Sequence, residues 1–194
     1  MLRKPGKPNY ELAKAYRPIA LLSMIAKVLT AIVAQDISWL VEQHQLLPSM
    51  HFGGRPDRTT TDAILYLVHH IKAAWREDKV ASILFLNVKG TFPNVVIQRL
   101  IHNLRRRRIP KIYVTYVKSL LTGRHTKLKF DDFISESIDL LNGIGQGDPL
   151  SMILYVLYNT DLLEITGNKE NEDSLGYVDD VALIAVGKDL EETT

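Results

Sequence analysis

Residues 175–186 read Leu175-Gly176-Tyr177-Val178-Asp179-Asp180-Val181-Ala182-Leu183-Ile184-Ala185-Val186, two adjacent aspartates in an otherwise apolar, strand-favouring run. The pattern predicts a short β-hairpin with both acids at its tip. Adjacent like charges raise each other's pKa, and desolvation adds to the cost. A divalent cation offsets that cost, because hard ions take carboxylate oxygens. A plain polar turn is the alternative, and the pair taken alone favours it. Asp131-Asp132, flanked by Lys127, Lys129 and Phe133, reads as such a turn.

Upstream lies a second unusual stretch, Gly143-Ile144-Gly145-Gln146-Gly147-Asp148-Pro149-Leu150-Ser151. Its glycines let a backbone approach a ligand, the helix expected over 149–163 presents its N-terminus, and Gln146 both donates and accepts. A glycine-rich loop is equally often a plain connection. Residues 80–88, Val-Ala-Ser-Ile-Leu-Phe-Leu-Asn-Val, are nearly continuous in strand formers and predict a central buried strand.

The remaining chain alternates helices with antiparallel-type strands, an α+β pattern. Ile25, Val28, Leu29, Ile32, Val33, Ile37, Leu40 and Val41 predict an amphipathic helix over about 23–43. Thr59 or Thr60 is placed to cap a second helix, with Ile64, Leu65, Val68, Ile71 and Trp75 as its apolar stripe. Asn94 is placed to cap a third, which ends in Arg105–Arg108; Pro110 suits the first position of a fourth and Gly123 its stop. Residues 127–130 and 133–140 predict a hairpin around Asp131-Asp132.

The 194 residues are 46% hydrophobic, enough for a core in one large or two small units. With no cysteine there is no disulfide or thiolate metal site, and redox chemistry says nothing of compartment. No apolar run reaches the length of a membrane span, and the basic start lacks the apolar core of a signal peptide. Net charge is only +2, so attraction to nucleic acid rests on local clusters: Arg3, Lys4 and Lys7, and the Arg105–Arg108 run. Each reads first as a solvated surface.

Five stretches in order carry a resemblance: Tyr16-Arg17-Pro18-Ile19-Ala20-Leu21-Leu22, His51-Phe52-Gly53-Gly54-Arg55-Pro56-Asp57-Arg58-Thr59-Thr60, Phe85-Leu86-Asn87-Val88-Lys89-Gly90-Thr91-Phe92, the glycine loop from Gly143 to Ser151, and Tyr177-Val178-Asp179-Asp180. Together they resemble the reverse transcriptase (RNA-directed DNA polymerase) domain of non-LTR, LINE-like retrotransposons, from about residue 2 to 186. The resemblance implies a fingers-like region over 1–79 and a palm-like region over 80–194. It implies an antiparallel palm sheet packed by helices, with the later palm motifs and thumb absent from the span and no endonuclease domain before it. The implied chemistry joins a dNTP to a primer 3′-hydroxyl with two Mg²⁺ ions, or Mn²⁺ in their place, on an RNA template with a DNA primer.

By the same resemblance Asp179 and Asp180 are two of three metal carboxylates. Gln146 and Gly147 lie near the templating base and incoming nucleotide, Phe92 is the aromatic that excludes a ribose 2′-hydroxyl, and Arg17 lies near the triphosphate. Lys4, Lys7, Arg55 and Tyr177 fall where nucleic acid is contacted. Read without the family, Phe92 is core and Arg17 a surface pair. The family's habit is the nucleus, although no targeting signal is seen; oligomeric state is not implied.

The departures are specific. Asn87 stands where the third carboxylate belongs, Pro93 follows the aromatic, Gly145 replaces a proline before Gln146, and Gly54 is a minor change. An amide gives a metal one oxygen but no charge, so synthesis is expected to be lost at Asn87, with truncation adding to the loss. Two other readings stand beside this one: a weak polymerase, Mn²⁺-assisted or completed by another chain, and a non-catalytic nucleic-acid-binding or interaction module using Lys4, Lys7, Arg17 and Arg105–Arg108.

Overall fold

The computed structural model describes residues 1–88, 90–130, 132–166 and 171–193, apart from the Ala13 side chain. Lys89 of the strand motif, Asp131 of the expected turn and Thr194 at the end of the palm-like region lie outside the described residues. In chain order the elements are β1 (Leu2–Arg3), β2 (Tyr16–Arg17), α1 (Met24–Gln43), α2 (Thr60–Arg76), β3 (Val80–Asn87), α3 (Ile97–Arg106), α4 (Lys111–Leu121), β4 (Arg124–Thr126), β5 (Lys129–Phe130), β6 (Phe133–Ile134), β7 (Ile138–Leu140), α5 (Pro149–Leu163), β8 (Glu172–Tyr177) and β9 (Asp180–Gly187). Helices mix with antiparallel strand pairs, as the α+β pattern requires. Two compact units emerge: Met1–Gln35 with Phe92–Ser151, and Asp36–Thr91 with Met152–Thr194. The boundary expected at 79/80 falls inside the second unit, between α2 and β3.

In the second unit, α2 begins at a capping box. Thr59 is extended (φ −116°, ψ 166°), its hydroxyl accepts from Asp62 N (3.2 Å), and Asp62 Oδ2 accepts from Thr59 N (2.8 Å). Two backbone donors that the helix cannot satisfy are thereby paired. The inward face differs from the expected stripe. Ala63 and Ala74 are buried while Ile64, Leu65 and Trp75 are 60–65% exposed. The two alanines permit close approach, and Phe52, Ala63, Leu175 and Ala182 form a core against which Tyr66, Leu67, Ile83 and Tyr177 pack.

The sheet of this unit has the order β3-β9-β8. The expectation of β3 as a central buried strand is thus corrected: among the described residues it is an edge strand, and Leu84 and Phe85 are 57% and 69% exposed. The central position belongs to β9, where Val181, Ala182 and Ile184 are buried. An unbroken apolar run states preference for a strand; coverage depends on what packs there.

In the first unit, α3 starts at Ile97 behind Val96, with no side-chain cap, so Asn94 does not cap it. The reason is a contact distant in sequence. Val95 O accepts from Gly143 N (2.7 Å) and Phe92 O from Ile144 N (2.9 Å), which ties residues 92–95 to the glycine loop. Pro110 is the N-cap of α4 rather than its first helical residue. Gly123 follows the C-cap Thr122 at φ +62°, the left-handed stop a glycine supplies. Of the expected hairpin, β5 pairs with β6, whereas β7 pairs with β4, which precedes the expected span.

Helix α1 is capped by Ser23, whose Oγ accepts from Ala26 N (3.2 Å). Its Thr30, Val33, Ile37 and Val41 are buried at near-helical spacing, whereas Met24, Ile25, Val28, Leu29 and Ile32 are about half to four-fifths exposed. The helix holds an 18-residue window of mean hydropathy 1.5, 22% of it buried, so by length and composition alone it could cross a membrane. The expectation that no apolar run reaches that length is corrected to this extent.

Candidate active site

The acidic pair sits where β8 turns into β9. Tyr177 pairs with Asp180, so Val178 and Asp179 form a two-residue turn. Val178 has φ +59°, a left-handed conformation that a β-branched residue rarely adopts. Strain of this kind, on the order of 1–3 kcal/mol, persists only where the surroundings impose it.

Three neighbouring segments of the same unit impose it. Gly53 is the first: a Cβ built there would lie 2.6 Å from Val178 N and 2.9 Å from Tyr177 C. The 48–58 loop that carries Gly53 docks on β8 through Phe52 N to Gly176 O (2.8 Å) and Gly176 N to Met50 O (3.0 Å). Asn159 of α5 is the second, its Nδ2 donating to Val178 O (3.3 Å). The third is Thr91, whose single hydroxyl proton is donated to Asp179 Oδ2 (2.8 Å), with Val88 O at 3.1 Å as the alternative acceptor.

The loop itself is pinned by Arg55. Its Nε and Nη2 donate to the two Glu42 oxygens (2.7 and 2.6 Å), and Nη1 donates to Pro48 O (2.7 Å) and His51 O (3.1 Å). With its side chain only 5% exposed, Arg55 is a pin of the loop, where the sequence reading had it contacting nucleic acid. The Arg55 hydrogen bond holds the Glu42 carboxyl below its usual range. Beside them His51 is fully buried, and burial, reinforced by Arg55 and Arg58, pulls its pKa down to about 4.

Asn87 and Asp180 face each other directly across β3 and β9, and Asn87 Nδ2 donates to Asp180 Oδ1 (3.3 Å). Behind the turn, Tyr155 is 1% exposed; burial, then the Asp179 charge, pushes its hydroxyl up to about 12. Both acids therefore rest on neutral donors. Among the described residues, no three His, Asp or Glu side chains group closely enough to hold a metal ion. Asp179 and Asp180 bring two carboxylates to this turn, and the Asn87 amide beside Asp180 brings no charge.

The other candidates lie in the first unit. Ala20 N donates to Gln146 O (2.8 Å), so the segment carrying Arg17 runs along the glycine loop, and Ile144 N is bonded to the Phe92 carbonyl. Gly143, at φ +86°, is held against Pro93, whose carbonyl oxygen would lie 2.6 Å from an added Cβ. Asp148 Oδ1 accepts from Leu150 N (3.1 Å) at the start of α5. Arg17 and Gly147 are exposed, while Phe92 and Gln146 are half-buried. Lys4 donates to Lys14 O (3.0 Å), and Lys7 is exposed. Sequence reasoning missed Thr91, Gly53, His51, Tyr155 and Asn159. Thr91 and Gly53 stand inside quoted motifs, yet only the fold reveals what they touch.

Residues 2–193 match the family described as reverse transcriptase (RNA-dependent DNA polymerase). The chain belongs to that family. Among its relatives are RNA-directed DNA polymerases of transposons and mobile elements. The probable RNA-directed DNA polymerase from transposon X-element of Drosophila melanogaster is 33% identical over 84% of this chain and 18% of its own length. The RNA-directed DNA polymerase from mobile element jockey of Drosophila funebris is 26% identical over 100% of this chain and 21% of its own. This reverse transcriptase chain thus spans about a fifth of the curated relatives it matches. A solved structure of telomerase from Candida albicans, in complex with the TWJ fragment of telomeric RNA, aligns with 80% of this chain and 29% of its own at TM-score 0.49 and 10% identity.

Proposed function

We propose that this chain is the nucleotidyl-transfer region of a retrotransposon reverse transcriptase in which DNA synthesis is lost at Asn87. The observation that supports it is the Asn87 amide facing Asp180 at 3.3 Å, where the family keeps a third carboxylate. Enzymes of this family use divalent metals to join a dNTP to a primer 3′-hydroxyl. Replacing one of three carboxylates by an amide removes a full negative charge from a site meant to hold two dications. Asn87 and Asp180 are both exposed here, so such a loss reaches several kcal/mol, or roughly two or more orders of magnitude in rate, only once bound substrate excludes water.

The fingers-and-palm division and the remaining roles belong to the same proposal. Arg17 takes the triphosphate, Phe92 excludes the ribose 2′-hydroxyl, and Gln146 and Gly147 support the templating base. Lys4, Lys7 and Tyr177 approach an RNA template and DNA primer, whereas Arg55 acts through the loop it pins. Mg²⁺, or Mn²⁺, is the ion a restored site would take.

Primer extension on an RNA template tests the reading, with Mg²⁺ or Mn²⁺, comparing this chain with Asn87→Asp. Silence from the original and extension by the revertant support it. Extension by the original chain, abolished in Asp179→Ala, overturns it.

A further inference from the structure

The near-neutral net charge hides a strong segregation. The first unit holds 16 Lys and Arg against 6 Asp and Glu, a net of +10, and the second holds 8 against 16, a net of −8. The excess is concentrated: residues 92–130 of that unit contain 10 Lys and Arg and no acid at all. Within that stretch, α3 buries Leu100, Ile101 and Leu104 and exposes Arg99, His102, Arg105 and Arg106 on its opposite side. The chain turns at Arg108 (φ +60°), exposed, into α4, which packs on α3, buries Val114, Val117 and Leu121 and exposes Lys111 and Lys118.

The helix dipole accounts for only part of this arrangement. It favours arginines at the end of α3, by about 0.3–1 kcal/mol each. Lys111, however, is the first residue of α4, the end at which a cation is disfavoured. Arg105, Arg108, Lys111 and Lys118 form no ion pair among the described residues, so the group repels itself without intramolecular relief. A polyanion relieves it. Lys111 and Lys118 stand about 10 Å apart along the helix, which spans roughly three phosphates at ~3.4 Å per nucleotide of one strand. An anionic membrane fits less well, because the apolar side of α3 is buried and Ile112 of α4, 73% exposed, is a single side chain where an inserting helix needs an apolar face.

We propose that the exposed side of α3 and α4, centred on Arg105, Arg108 and Lys111, is a docking surface for a nucleic-acid phosphate backbone, read without base sequence. It acts whether or not the chain polymerises, since it uses none of Asn87, Asp179 or Asp180.

The test is fluorescence anisotropy of a short mixed-sequence single-stranded RNA across a salt series. Three variants are compared: Arg105→Gln/Arg108→Gln/Lys111→Gln, the lysine-substituted Arg105→Lys/Arg108→Lys, and Lys72→Gln/Arg76→Gln/Lys79→Gln as a charge-matched control in the second unit. The glutamine triple should flatten the slope of log K against log salt by about 2, at roughly 0.7 per lost contact. The lysine double, Asp179→Ala and the control should keep the original slope, and circular dichroism should give all of them the original helix content. The inference is overturned if the original chain does not bind RNA at low salt, if the glutamine triple keeps its slope, if the control loses as much, or if phosphatidylserine vesicles compete at equal phosphate.

Discussion

Gly53→Ala isolates the contact between the 48–58 loop and the acidic turn. Its added methyl would lie 2.6 Å from Val178 N, 2.7 Å from Val178 Cγ2 and 2.9 Å from Tyr177 C, against an ordinary contact of 3.4–4 Å, so one side must retreat by about 1 Å. Neither retreats easily. The loop is held by the Arg55–Glu42 fork and its bonds to Gly176, and the turn by β8, β9 and Asn159. Overpacking by one carbon costs about 1–3 kcal/mol, and backbone atoms on both sides place this site in the upper half. For a chain of this length that is a melting temperature lower by about 4–10 °C. Gly176→Ala is the internal comparison, because its closest clash, 2.6 Å, is with Leu163 Cδ1, the end of a flexible side chain. Its loss should be smaller. Thermal melts give the order, and backbone amide NMR shifts at 177–180 give the displacement of the turn. Equal melting temperatures for Gly53→Ala and the original chain, or a larger loss in Gly176→Ala, would refute the clamp.

His51 titrates in the folded chain near 4 and in the unfolded chain near 6.5, so protonation favours unfolding. Stability is complete above about pH 6.5 and falls toward pH 4 by up to about 3 kcal/mol; His51→Gln should remove that part of the pH dependence in urea titrations, and an unchanged profile would show His51 to be solvated. Arg55→Ala leaves Glu42 without its fork and should lower stability by about 3 kcal/mol, with Arg55→Lys recovering little; full recovery by lysine in urea denaturation would mean charge alone holds the loop. Asn87→Asp sets two carboxylates directly opposite, lowering metal-free stability by about 0.5–1 kcal/mol, and Mn²⁺ should restore it; identical melts with and without Mn²⁺ would show that no ion site forms. In an extending Asn87→Asp chain, Phe92→Ala should admit ribonucleotides, and unchanged sugar discrimination in primer extension would make Phe92 a packing residue.

Local chemistry was legible in the sequence, and pairing at a distance was not. Thr59 and Asp62 announce their helix start because the capping box needs only neighbours, and Asp179-Asp180 announce a hairpin because polar tips interrupt apolar strands. Asn94 misled for the opposite reason: the backbone around it is claimed by Gly143 and Ile144, nearly fifty residues later. The stripe on α2 misled because hydropathy ranks Ile64 and Leu65 above Ala63, whereas closeness to the sheet selects the smaller residue. The run at 80–88 specified a strand but could not specify how many neighbours it would have.

The candidate site divides in the same way. Which residues carry charge is written in the motif, but the Asn87–Asp180 opposition arises from a register spanning 93 positions, and the Thr91–Asp179 bond from one spanning 88. These contacts bear on how a site built around dications keeps its shape with one carboxylate gone. Adjacent acids left unpaired would repel and splay the turn. Here the Asn87 amide meets one carboxylate and the Thr91 hydroxyl meets the other, while Gly53 and Asn159 hold Val178 in its left-handed conformation. Neutral donors thus maintain the geometry without supplying charge. Under the proposed function, loss of the third carboxylate would remove chemistry and leave packing intact, so single substitutions at this hairpin should separate shape from reactivity.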